Sequence, residues 1–338
     1  MKYYTNLEGF NAVFLVQHRG VYGLPHASFY LSLLPKEYKD KLMSLNTEVR
    51  MVFKSIYEVE DEFCDRIEDA DFYVLPFCDI HTDPDKHILK YRDEINYALK
   101  LGKKLVYFLG TDVNMPVKIS RENGLIFRTS GFLSEAQSNV YGCPTVNLDL
   151  GKPKNYKTKL SISFTGWAKS SGMIEIAHGQ KVQKFDGIRE DIINELLLKI
   201  PDKCDFILRD DWGPKCNIDK LHFYKNMSDN LYCLCVRGFG NFSFRLGETL
   251  MAGRIPILID TECILPFIDE IPWDKNCVRI KPENFHRIPE LVQEYHDSHT
   301  EEELIDIQKQ NREIWEQYFI PKNTYKKISS LINNFNRL

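Results

Sequence analysis

Residues 231–260 read LYCLCVRGFGNFSFRLGETLMAGRIPILID. The run Tyr232–Val236 is apolar and too short for a helix, so it reads as a buried strand. A glycine-bearing loop follows from Arg237 to Phe242, then a helix near Phe244–Ala252 with Ser243 at its N-cap. Gly253 reads as the residue that ends the helix, and Ile255–Ile259 as a second strand. Strand, helix and strand in this order form a βαβ unit and imply a parallel sheet with a right-handed crossover.

The same segment carries chemistry. Gly238 and Gly240 let the loop backbone approach a ligand, and the helix amino terminus offers N–H groups and a positive dipole end. Arg245 in the first turn can fork onto phosphate oxygens, while Glu248, three residues on and on the same face, can accept from the two hydroxyls of a ribose. The spacing fits an ordinary i,i+3 surface ion pair equally well, and Gly-x-Gly alone does not decide between the two.

Outward from this unit the strand and helix alternation continues. Downstream lies a strand at Val278–Ile280, with helices from Glu301. Upstream are a strand at Leu160–Phe164, a helix near Gly187–Ile200, a strand at Asp205–Leu208 and a helix near Asp219–Met227. The Lys-rich stretch Gly151–Lys159 interrupts the pattern and sets the expected boundary, giving domains 1–153 and 154–338. Before it, Ala12–Val16 and Asp71–Phe77 read as strands, Asp83–Leu101 as a helix closed by Gly102, and Lys104–Leu109 as a further strand. Two α/β units facing each other would enclose a cleft outside the carboxyl ends of their strands.

With 338 residues the chain has room for two such cores, and 43% hydrophobic against 27% charged residues excludes wholesale disorder. The net charge of -4 provides no global attraction to nucleic acid or anionic lipid. No apolar run is long enough to span a membrane, and the first residues lack the features of a signal peptide. Nine cysteines with no CxxC spacing suit buried reduced thiols in a reducing compartment, and the sequons at Asn226 and Asn241 then read as accidental.

The arrangement of Tyr224, Met227, Tyr232–Arg237, Ser243, Arg245, Glu248, Gly253 and Ile255-Pro256 resembles the carboxyl-terminal block of exostosin-like glycosyltransferases of the GT47 type. Leu265-Pro266-Phe267 and Ile271-Pro272-Trp273 look like that family's following elements. Phe164-Thr165-Gly166 with Arg189, and Asp69-Ala70-Asp71 ahead of an aromatic strand ending in Pro76, extend the resemblance over most of residues 68–297. The resemblance implies α/β fold class in a GT-B architecture of two Rossmann-like domains. It further implies a nucleotide-sugar donor held mainly by the second domain, a glycan acceptor, an inverting mechanism and no obligatory metal or other cofactor. A UDP-sugar is expected ahead of a GDP-sugar. Animal exostosins carry an amino-terminal membrane helix that this sequence does not show, so the expected compartment is the cytoplasm.

An inverting transfer needs positive charge at the leaving diphosphate and a base at the acceptor hydroxyl. Gly166, Lys169, Arg189, Arg209, Arg237, Gly238, Ser243, Arg245 and Glu248 are the donor-side candidates. Arg189 fits a solvated helix face as well, and Arg209 a loop salt bridge with Asp210 or Asp211. For the base, Asp112 is preferred to Asp79 and His81, although Asp in such loops commonly serves turns and caps, as Asp83 before Pro84 does. His18 and Arg19 are further acceptor-side candidates, Trp167 and Trp212 candidates for stacking on a sugar. The Asp79, His81, Asp83 spacing permits a metal without indicating one. A dehydrogenase or epimerase is disfavoured because no strand runs into GxGxxG, and a non-catalytic nucleotide- or glycan-binding protein of the same fold remains the alternative.

Overall fold

The computed structural model of the chain describes residues 2–8, 33–44, 62–76, 83–110, 117, 119–135, 138–145, 149, 151–153, 155–168, 185, 187–210 and 217–335. They form two compact units, one of Met1–Leu148, Ile264–Ile268 and Glu316–Leu338, the other of Asp149–Cys263 and Asp269–Trp315.

In the first unit the strands are β1 (Lys2–Tyr4), β2 (Glu62–Phe63), β3 (Phe72–Val74), β4 (Lys104–Leu109), β5 (Gly124–Arg128) and β6 (Val140–Gly142). All pair in parallel, in the order β2-β1-β3-β4-β5-β6. Helices α1 (Lys36–Met43), α2 (Pro84–Lys90) and α3 (Arg92–Lys100) lie between them in the chain. Tyr73, Leu105, Tyr107, Leu109 and Ile126 are buried together with Ile95 and Ala98 of α3, so the period-two pattern of the strands meets the helical pattern in one core. The helix expected over Asp83–Leu101 is two helices broken at Tyr91, whose N–H turns to the Ile88 carbonyl. Asp83 caps α2 as expected, accepting from the N–H groups of Asp85 and Lys86. Gly102, at φ 72, closes α3.

In the second unit the strands are β7 (Ile162–Trp167), β8 (Cys204–Arg209), β9 (Tyr232–Cys235), β10 (Ile255–Ile259) and β11 (Val278–Ile280). They too are parallel, in the order β11-β10-β9-β7-β8. The helices are α4 (Ile188–Lys199), α5 (Asn217–Asp229), α6 (Phe244–Met251), α7 (Trp273–Asn276), α8 (Ile288–Asp297) and α9 (Glu301–Tyr318), with α10 (Pro321–Phe335) completing the chain's helices among the described residues. Phe164, Leu234, Val236, Ile257 and Ile259 pack with Ile192, Ile193 and Leu196 of α4 and Ile288 and Val292 of α8. The alternate residues Ser163, Thr165, Cys233 and Cys235 are buried as well, so β7 and β9 are covered on both faces.

Helix ends are set by local chemistry. Past α6, the Gly253 N–H bonds the Leu250 carbonyl and the Arg254 N–H the Thr249 carbonyl, with Gly253 at φ 56. Thr300 and Glu303 form a reciprocal capping box at the start of α9. Arg254 is 2% exposed and donates to the Ser228 and Asn155 carbonyls and to Gln308 of α9.

The observed division differs from the expected 1–153 and 154–338. Asp149 opens the second unit, and Glu316–Leu338 together with Ile264–Ile268 belongs to the first. The Ile264 N–H bonds the Gly131 carbonyl, Pro266 bridges Gly142, and the Lys104 ammonium lies over the Phe335 ring. These contacts are remote in sequence and leave no mark on composition. The Ala12–Val16 strand lies outside the described residues. Among those residues Cys64, Cys143, Cys204, Cys233, Cys235, Cys263 and Cys277 are free thiols, and burial pushes Cys263 up to about 12. No described helix is long and apolar enough to cross a membrane.

Candidate functional site

Numbered within its own unit, the second sheet has strand order 2-1-3-4-5, and its order reverses between β7 and β9. Open α/β sheets bind ligands outside the carboxyl ends of strands at such a point. Here the ladder between the two strands holds Ile162 to Tyr232 and Ser163 to Cys233. Beyond it β7 continues beside β8 as far as Trp167, and β9 beside β10 as far as Cys235. The carboxyl ends therefore leave a notch between them.

Arg245, in the first turn of α6, occupies the notch. Its Nη2 donates to the Thr165 carbonyl at 2.6 Å, and its guanidinium lies 4.3 Å from the centre of the Phe164 ring. Its buried Nε has no hydrogen-bond partner. Gly166, at φ 154, faces this group so closely that a Cβ there would stand 2.7 Å from Nη2.

Arg189, in the first turn of α4, closes the mouth. It donates to the Trp167 carbonyl at 2.9 Å and doubly to the Arg237 carbonyl, through Nε at 3.0 Å and through Nη2. One guanidinium thus ties the ends of β7 and β9. It is buried and not on a solvated helix face, and three of its five N–H groups are directed at main-chain carbonyls. Burial, then repulsion from Arg245 and Arg237, lowers it to about 9. Arg237 is 4% exposed and donates to the Gly238 and Phe239 carbonyls, shaping the loop from within. A Cβ at Gly238 would sit 3.2 Å from Arg189 Nη2, so the loop glycine permits the close approach of the guanidinium.

Ser243 has the extended backbone of an N-cap (φ -130, ψ 120), but its hydroxyl makes no capping bond. Ser243 thus holds the N-cap position without the capping hydrogen bond. Glu248 is half-buried on α6, and burial pushes its carboxyl up to about 7 against the attraction of Arg245. Arg245 spends Nη2 on the Thr165 carbonyl and lays its guanidinium over Phe164, while its charge draws the Glu248 carboxyl down against burial. Arg209, a donor-side candidate, ends β8 beside Trp167 and donates to the Asp219 carbonyl at 2.7 Å, while Asp211, one of its alternative salt-bridge partners, lies outside the described residues.

Several supporting residues were not singled out from sequence. The Thr165 hydroxyl donates to Asn226 Oδ1 at 2.8 Å, and Asn226 donates on to the Asp205 carbonyl, pinning α5 to β7 and β8. Asn241 and Thr261 exchange hydrogen bonds that fasten the Gly238–Phe242 loop to the end of β10. Both sequon asparagines are thereby buried structural groups. The rings of Trp167 and Phe239 lie 6.3 Å apart beside the notch. Lys169, Asp79, His81, Asp112, His18, Arg19 and Trp212 lie outside the described residues.

Comparison with known proteins finds matches to the second unit and to the fold. The family profile described as Exostosin GT47 domain matches residues 147–295. A rice protein (Oryza sativa subsp. japonica) named as a probable glucuronosyltransferase is 36% identical over 70 residues, 21% of this chain and 16% of that protein. Exostosin-1 of Drosophila melanogaster is 29% identical over 101 residues, 30% of this chain and 13% of its own length. The alignments thus span well under a fifth of either relative. A solved glycosyltransferase from Rickettsia africae ESF-5 superposes with a TM-score of 0.47 at 12% identity, over 99% of this chain and 98% of that one. The strands that form the notch, its arginines and Glu248 all fall within the segment, residues 147–295, that is similar to the Exostosin GT47 domain.

Proposed function

We propose that the chain is a glycosyltransferase that moves a sugar from a nucleotide-sugar donor to a hydroxyl of a glycan acceptor, with the donor diphosphate bound at the notch between β7 and β9. The observation that carries this reading is the crowding of positive charge there: Arg189 is depressed to about 9 by its own burial and by two neighbouring arginines. A site that holds like charges together in a buried setting is relieved by an anion of matching size.

In the proposed reaction an acceptor hydroxyl attacks the anomeric carbon, the bond from that carbon to the diphosphate oxygen breaks, and configuration inverts. Arg245 and the amino terminus of α6 stabilise charge developing on the leaving diphosphate. Arg189 holds the two strand ends at a fixed gap. Glu248, one turn from Arg245, accepts from ribose hydroxyls when ionised. The arginines supply the charge that a divalent ion supplies in other transferases, so nucleotide binding is expected to survive a chelator. UDP is proposed ahead of GDP.

Calorimetry of the purified chain against UDP, GDP and CMP, with and without chelator, tests the binding, and release of nucleoside diphosphate from sugar conjugates tests the chemistry. Heat with one nucleoside diphosphate that disappears in Arg245→Ala supports the reading. Silence across the panel removes it, and binding without turnover identifies a non-catalytic nucleotide-binding protein.

A further inference from the structure

Parallel sheets must manage their edges, since an edge strand presents an unpaired row of backbone groups. Among the described residues three of the four edges are minimal: β2 has two residues, β6 three, and β11 three with Arg279 at its centre. The fourth is β8, six residues long, with the sequence CDFILR. It contains no proline and no lysine. Its two central apolar residues, Ile207 and Leu208, are 37% and 47% exposed. Leu198 near the end of α4 and Ile218 and Leu221 at the start of α5, the helices before and after β8, are exposed by 82%, 62% and 64%. Among the described residues, five of the six large exposed hydrophobics of the second unit thus lie on this edge strand and its flanking helices, Tyr156 being the sixth.

The order of charges along β8 selects its partner. Asp205 and Arg209 stand two residues either side of Ile207. In an antiparallel pair of β8 with β8 centred on Ile207, each Asp205 faces the Arg209 of the other copy, and Phe206 faces Leu208. Asp205 receives Asn230 on one carboxylate oxygen, and Arg209 donates through Nη2, so both side chains are already held near the strand. A register shifted by one residue, centred between Ile207 and Leu208, sets Asp205 against Asp210 and is disfavoured.

We propose that β8 is a self-association edge: a second copy of this chain pairs with it antiparallel about Ile207, joining the two five-stranded sheets and covering Leu198, Ile218 and Leu221. The interface is isologous, so it closes on itself as a two-fold dimer and does not propagate.

Sedimentation equilibrium of the full chain from micromolar to its highest soluble concentration is expected to show reversible doubling of mass. Ile207→Lys is expected to leave a folded monomer. Asp205→Arg and Arg209→Asp each set like charges opposite one another and are expected to weaken the dimer, whereas the double variant restores the opposition with signs exchanged and recovers it. Because substitutions at Asp205 or Arg209 can disturb their bonds to Asn230 and to Asp219 of α5, the unmodified chain provides a second measurement: amides of 204–209 should gain protection from hydrogen exchange as concentration rises. A chain that stays monomeric throughout, or a dimer that forms without concentration-dependent protection in 204–209 and persists in Ile207→Lys, overturns the proposal.

Discussion

The Arg245 guanidinium and the α-carbon of Gly166 are in van der Waals proximity, with no space between them for a methyl group: a Cβ on Gly166 would lie 2.7 Å from Nη2. The residue is therefore glycine for two reasons, the close approach of the arginine and a backbone at φ 154 that side chains rarely adopt. Gly166→Ala is expected to cost roughly 1–3 kcal/mol of stability and to push Arg245 off the Thr165 carbonyl. Calorimetric nucleotide titration of the folded variant should show lower affinity as well as a lower melting temperature. A drop in melting temperature with unchanged affinity would separate Arg245 from the ligand.

Glu248 should imprint a pH dependence on stability. Its carboxyl is raised from 4.5 to about 7 by burial, so the folded chain holds a proton that the unfolded chain releases. Stability from this group is fully present below pH 4.5, declines as pH rises toward 7, and is level above it; the loss is at most about 3 kcal/mol. Glu248→Gln is expected to flatten that decline in denaturant melts between pH 5 and 7.5. If the carboxylate takes ribose hydroxyls, nucleoside affinity of the parent chain should also rise as pH passes through 7.

Arg189→Lys tests geometry with charge retained. A single ammonium cannot bridge the Trp167 carbonyl and grip the Arg237 carbonyl doubly, as the planar guanidinium does. Nucleotide affinity is expected to fall by about tenfold despite the conserved charge. Equal affinity in the two proteins would show that the mouth holds its width without the bridge.

Gly253→Ala addresses the frame. At φ 56, with Pro153 Cγ 2.6 Å from where a Cβ would be, this cap residue tolerates no side chain. Urea melts are expected to lose about 1–3 kcal/mol, with nucleotide affinity of the folded fraction unchanged.

The second unit was legible because β9 and β10 are contiguous apolar runs buried along their whole length, and the ends of α6 are marked by Ser243 and Gly253. The first was less so. β1 and β2 have three and two residues, below any periodicity, and β5 (GLIFR) and β6 (VYG) are short pieces that gain their identity only by pairing with β4 and each other. Within the site, residue types were legible and partners were not. Arg245 reaches a carbonyl 80 residues away and Arg189 one 48 residues away, and backbone carbonyls carry no side-chain signature. A buried arginine satisfied by main-chain oxygens looks, in sequence, like one waiting for phosphate.

The assignment of Glu316–Leu338 to the first unit has a consequence for synthesis. Translation proceeds from the amino terminus, and domains as a rule fold in the order in which they emerge. Here the unit that β1 opens also takes Glu316–Leu338, whereas the unit bearing the arginine notch takes its last residue in sequence at Trp315. Removing α10 therefore takes a piece from the unit that β1 opens and no residue from the unit that bears the notch.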